Sequence, residues 1–184
     1  MKVKICLLFF VLCLCSCKKI FQDEEFSLKC VPYTCSKLRI DGYYYQKRHG
    51  IEDDNRKFIE YYIFYSNGVS TKGSRETENI SDVENSIATR SDNKYLPNNL
   101  YVWGPFSIHE NKMRMQYYEI SDYLSKRVLE LSCTILNDTT FSLDKIHLVG
   151  TGKDVTNNYT FITIGEYHFK QFSPKPDSTN NFIP

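Results

Sequence analysis

The chain reads as an all-β protein, an antiparallel up-and-down meander forming a barrel or half-barrel, with one short helix in a long loop. Three observations predict this. Its 184 residues include 14 tyrosines, 12 phenylalanines and one tryptophan, a load that suits strands better than helices. Apolar and polar residues alternate with period two, as in Met113, Met115 and Tyr117 against Lys112, Arg114 and Gln116. Turn residues separate the alternating runs at Asn67-Gly68, Glu110-Asn111 and Asn137-Asp138. An open meander would leave two unpaired edges, and closure removes them.

The elements follow in order. Leu38 to Tyr45 is a first strand whose Gly42 marks a bend or a close approach. Phe58 to Tyr65 is a second, apolar or aromatic except for Glu60, and Asn67-Gly68 returns the chain into Val69-Ser70-Thr71. The polar stretch from Lys72 to Asn99 carries Ile80, Val83 and Ile87 at helical spacing, with Ser81 and Glu84 as a capping box. A helix so short must lie on the sheet or across its mouth. Strands resume at Leu100–Ile108, where Gly104-Pro105 predicts a kink or an edge position. Lys112–Tyr117, Leu129–Ile135, Thr140–Leu143 and Tyr159–Phe172 complete the series. Residues 36–172 form the β domain, and residues 173–184, rich in Pro, Ser and Asn, read as a mobile tail.

The start of the chain carries an address. Met1-Lys2-Val3-Lys4 is cationic, and the apolar run from Ile5 to Leu14 is too short to span a bilayer. It ends in Leu14-Cys15-Ser16-Cys17, which resembles the lipobox of bacterial lipoproteins. The resemblance implies a signal peptide over residues 1–16, lipid attachment at Cys17 and a tether over residues 17–35. Acyl chains contribute about 0.8 kcal/mol per buried methylene, so several of them anchor a domain durably. Lys18 stands where an inner-membrane retention Asp would be, which favours the outer membrane. Gln22-Asp23-Glu24-Glu25 resembles the acidic export signal of surface-exposed Bacteroidetes lipoproteins, displaced here by four residues. Either the periplasmic or the outward leaflet fits.

After cleavage four cysteines stay. Cys30 and Cys35 are close enough for a local disulfide in an oxidising compartment. Cys133 lies among alternating apolar residues and reads as a small core hydrophobe. Lys and Arg number 23 against 22 Asp and Glu, so no charge excess points to nucleic acid.

Asp41-Gly42-Tyr43-Tyr44-Tyr45, Phe64-Tyr65-Ser66-Asn67-Gly68, Thr134 to Phe141 and Tyr167-His168-Phe169-Lys170 occur in an order that resembles small Bacteroidetes lipoproteins with a lipocalin-like domain. That resemblance implies an antiparallel barrel or half-barrel and brings no catalytic residues with it.

Motifs of chemistry are scarce. No nucleophile elbow, HExxH, Gly-rich phosphate loop or GxGxxG occurs. His49, His109, His147 and His168 are the acid–base and metal candidates; His147 and His168 could meet beside Asp144 or Glu166. Asp53-Asp54 reads as a solvated hairpin loop. The expectation is therefore a non-enzymatic protein with no cofactor, no metal and no nucleic-acid partner. Tyr44, Tyr62, Phe64, Trp103, Met113, Met115 and Tyr117 would line an interior that binds a small apolar ligand. The alternative is a filled barrel that serves as an interaction module for an envelope protein or an enzyme to be inhibited. It would present tyrosines such as Tyr43, Tyr45 and Tyr61 on its outer face.

Overall fold

The structure, a computed structural model, describes residues 24–50, 55–89, 99–122, 125–155, 162–180 and 182–183. The expected signal segment, Cys17 and Asp53-Asp54 lie outside the described residues.

Eight strands form one closed barrel: β1 (Gly42–His49), β2 (Lys57–Phe64), β3 (Val69–Glu76), β4 (Trp103–His109), β5 (Lys112–Asp122), β6 (Ser125–Asn137), β7 (Thr140–Leu148) and β8 (Gly165–Gln171). Each pairs antiparallel with its neighbour in sequence, and β8 returns to β1. The meander is thus a full barrel, and β4 sits at no edge. Among the described residues one helix, α1 (Ile80–Thr89), interrupts the series between β3 and β4.

Two glycines show why closure is tolerated. A Cβ on Gly42 would come within 2.0 Å of the Lys170 carbonyl oxygen, so a bare backbone is needed where β1 meets β8. Gly68 has φ of 82°, a conformation that favours glycine. The Gly68 N–H donates to the Tyr65 carbonyl at 3.1 Å and the Tyr65 N–H to the Val69 carbonyl at 2.9 Å. The β2–β3 hairpin therefore turns through three residues rather than the two that Asn67-Gly68 suggests.

Alternation sorts the side chains into two cores. Tyr44, Tyr62, Phe64, Phe106, Met113, Met115, Tyr117, Phe141 and Tyr167 belong to the buried interior cluster. The Phe141 and Tyr167 rings stack at 5.1 Å. The alternate residues of β1 and β2, Tyr43, Ile59, Tyr61 and Ile63, form a second cluster outside the barrel, together with Val83 and Ile87 of α1. The helix thus lies on the outer face of the sheet. Its start falls at Ile80 rather than at the expected Ser81 cap: the Thr77 hydroxyl accepts the Asn79 N–H at 3.0 Å and donates to Asp82.

Both termini pack. The Glu24 N–H donates to the Lys126 carbonyl, and its carboxylate accepts the Val128 N–H at 2.8 Å. The chain then runs along β5 and β6, where the Gln116 side chain accepts the N–H groups of Ser27 and Leu28 at 2.9 and 3.0 Å. It ends under the barrel, where Leu38, Tyr33 and Ile40 join the interior cluster. Leu38 therefore plugs the barrel and does not begin a strand. Residues 24–35 form a strap rather than a free tether.

The C-terminal segment, expected to be mobile, also docks. Lys175 Nζ donates to the carbonyls of Ile40 and Phe64, the latter at 2.7 Å. Phe182 and Ile183 pack on the outer cluster. The polar composition of the tail conceals these three anchors.

Cys30 and Cys35 are free thiols, so the expected bridge is not formed. Cys30 packs against the outer cluster while Cys35 is exposed, with the Tyr33 ring between them packed on the interior cluster.

Candidate functional site: a pocket where β4 stops short

The interior is filled toward the end closed by Leu38, and the expected lining divides accordingly. Tyr44, Phe64, Met113 and Met115 are each at most 1% exposed and serve as core. An eight-stranded barrel is only just wide enough for its own side chains, and large aromatic ones leave no lumen. Trp103 departs further from expectation: it belongs to the outer cluster, against Tyr65 at 5.9 Å. The parity of β4 turns it away from the interior.

A pocket of about 460 Å³ survives at the opposite end. Its cause is the shortness of β4, which pairs with β3 only over Val69–Thr71 and with β5 only as far as Met115. Beyond these points the wall between β3 and β5 is taken over by Asn99, Tyr101 and Val102, with the Lys72 N–H donating to the Val102 carbonyl at 3.0 Å. Tyr62, Leu129 and Ile162 supply the apolar floor, and Glu60, Lys72 and Glu119 the charges. Of the expected residues Tyr62 lines this pocket, and Tyr117 lies under Lys72 with its ring centre 4.7 Å from Nζ.

The three charges differ in their surroundings. Glu60 is 2% exposed. Its carboxylate accepts from the Arg48 guanidinium, the Thr163 N–H at 3.0 Å, the Thr163 hydroxyl at 3.1 Å and the Tyr167 hydroxyl at 2.8 Å. That anion is compensated. Burial pushes Lys72 down to about 8, opposed by the nearby carboxylates of Glu119 and Glu60. Burial likewise pushes Glu119 up to about 7, opposed by Lys72 and Arg127. The Tyr62 hydroxyl is held well above its ordinary range, again by burial. The pocket is an apolar chamber with two ionisable groups brought toward neutrality from opposite sides.

Sequence reasoning did not find Lys72, Glu119, Leu129 or Ile162 as pocket residues. One signal was legible: Glu60 shares parity with Tyr62 and Phe64 in an otherwise apolar strand, and Lys72 is the register partner of Tyr62. A charge on the inward face of a strand is costly unless something answers it.

The histidine pair does not assemble. His168 stands opposite Thr140 at one end of β7, while His147 lies seven residues further along that strand, roughly 23 Å away. His147 instead faces Glu130, with Nε2 at 3.8 Å from the carboxylate. Among the described residues no group of three or more His, Cys, Asp or Glu could hold a metal ion. Of the outer tyrosines, Tyr43 and Tyr61 are each 1% exposed in the cluster that α1 joins, and Tyr45 is half-buried against that cluster. Compared with known proteins, the chain matches no family model, no curated relative and no solved structure.

Proposed function

We propose that this chain is a lipid-anchored protein of the cell envelope, held at the outer membrane through Cys17. Its lipocalin-like barrel acts as a carrier or sensor that binds a small, mainly apolar ligand. The observation that carries the binding reading is the pocket of about 460 Å³ over Tyr62, Leu129 and Ile162, within the size range of small-molecule sites. The lipobox residues Leu14-Cys15-Ser16-Cys17 support the anchor. The strap adds a geometric link. Glu24 docks beside Lys126 and Val128, at the pocket end of the barrel, and only the six residues 18–23 lie between it and Cys17. Fully extended, the stretch from Cys17 to Glu24 reaches about 25 Å, which would keep the pocket near the membrane surface. Burial of Tyr43 and Tyr61 argues against the interaction-module alternative, which needs an exposed aromatic face.

Native mass spectrometry of the chain from Lys18 onward, purified from its own periplasm, tests the binding reading. A reproducible added mass that is lost on denaturation, and lost in Leu129→Trp, is the expected result. A bare mass together with failure to take up any apolar probe would defeat it. For the anchor, Cys17→Ala should release the protein from membranes, and unchanged retention would defeat that half of the proposal.

A further inference from the structure

Reading the pocket as a ligand site leaves the chemistry of its occupant open, and the charges lining it narrow the choice. We infer that the ligand is a monoanionic amphiphile whose acidic headgroup, a carboxylate or sulfonate, sits on Lys72 Nζ while its apolar body covers Tyr62, Leu129 and Ile162. This rests on the proposed binding function above.

Four observations converge on Lys72. It is the cation among the three charged residues lining the pocket. Its Nζ makes no hydrogen bond or ion pair among the described residues; it rests over the face of the Tyr117 ring at 4.7 Å, with the carboxylates of Glu119 and Glu60 near enough to act on it but not bonded to it. A ring face compensates an ammonium only in part. Glu60, the closest fixed anion in the sequence register, is already occupied by Arg48, Thr163 and Tyr167, so it is not free to swing to Lys72. Glu119, across the gap left by β4, acts on Lys72 through space without forming an ion pair with it and has a further interaction of its own; burial pushes its carboxyl up to about 7, opposed by Lys72 and Arg127.

The site thus holds a positive charge in a place of low polarity with no committed counter-ion. An anionic headgroup supplies one through charge-assisted hydrogen bonds, which are roughly twice as strong as neutral ones. A cationic ligand would meet Lys72 unfavourably, and an uncharged one would leave its desolvation unanswered. The ammonium stands at one side of the apolar floor, so head and body of a single molecule can be satisfied together.

Two fluorescent probes of nearly the same shape separate the charge from the pocket. They are 1-anilinonaphthalene-8-sulfonate and its uncharged parent, N-phenyl-1-naphthylamine. Each is titrated into the chain from Lys18 to Pro184, which holds every described element, and into Lys72→Met and Leu129→Trp. Circular dichroism confirms the fold of each variant. The expected result is that Lys72→Met weakens the sulfonate by about tenfold or more, leaves the uncharged amine within about twofold, and that Leu129→Trp removes both. If the amine binds through Leu129 but the sulfonate is not weakened by Lys72→Met, or both weaken equally, the headgroup assignment is overturned and the pocket reading stands. If neither probe binds, or binding survives Leu129→Trp, the pocket reading itself is overturned.

Discussion

The Tyr167 hydroxyl donates to Glu60 Oε2 at 2.8 Å inside the barrel, joining β8 to a carboxylate on β2 that lies across the β1 seam. The same carboxylate accepts from Arg48 on β1 and from both the N–H and the hydroxyl of Thr163. One buried anion therefore ties the closing strands to the segment that carries Ile162 into the pocket.

Removing that anion should be costly. Glu60→Ala leaves the buried Arg48 guanidinium without its carboxylate and frees Thr163 and Tyr167. A loss of about 3–5 kcal/mol is expected, read as a lowered midpoint in urea unfolding. A midpoint unchanged from wild type would mean that Arg48 is solvated and that Glu60 does not hold the seam.

The strap depends on Gln116. Its Oε1 accepts from Ser27 and Leu28, and its Nε2 donates to the Ser27 hydroxyl and to Glu130, both at 2.7 Å. Gln116→Leu keeps the bulk and deletes all four bonds, which should cost about 1–3 kcal/mol. Amide exchange should speed up over residues 24–30 while the barrel strands stay protected. Uniform exchange across the whole chain would show instead that strap and barrel open together.

Stability should pass through a maximum on the alkaline side. Burial depresses Lys72 and Lys175 to about 8, so between pH 8 and their unfolded values near 10.5 the unfolded chain binds more protons. Stability rises with pH in that window. Glu60 and Glu119 oppose the shift at Lys72, and Asp41 opposes it at Lys175. Above pH 10 the sign reverses: burial raises Tyr33 to about 12 and holds Tyr62 and Tyr167 well above their ordinary range, so the unfolded chain loses protons first. Urea midpoints at pH 7.5, 9.5 and 11 should rise and then fall, and Lys175→Met should reduce the rise. A monotonic fall from pH 7.5 would contradict the burial of both lysines.

The thiols should react in a set order. Cys35 is exposed, Cys30 half-buried and Cys133 fully buried with its thiol raised well above the ordinary value. A thiol reagent should therefore label Cys35 quickly, Cys30 slowly and Cys133 only on unfolding. Protection of Cys35 that a reductant relieves would restore the Cys30–Cys35 bridge.

Much of this architecture was legible in the residues. Period-two alternation in Met113–Tyr117 and Leu129–Ile135 predicts strands whose faces the barrel preserves, because a strand cannot change the parity of its side chains. Ile80, Val83 and Ile87 likewise predict a helix with one apolar stripe, of which Val83 and Ile87 are buried and Ile80 is half-buried. Alternation says which residues share a face; it does not say which face looks inward on each strand, and so the sequence alone does not separate Trp103 from the interior residues.

By itself, then, the sequence determined the all-β class, the up-and-down order of the strands and the site of the helical interruption, since these follow from local periodicity and turn chemistry. Only the tertiary structure decided that the sheet closes and that residues 24–35 and the segment after β8 pack as strap and tail. It also decided that β4 begins late enough to leave a pocket around Lys72. Each of these depends on contacts between residues far apart in the chain, Gly42 against Lys170, Gln116 against Ser27, Lys72 over Tyr117. No local pattern encodes such distances, because they are set by how strand lengths and register add up around a closed barrel.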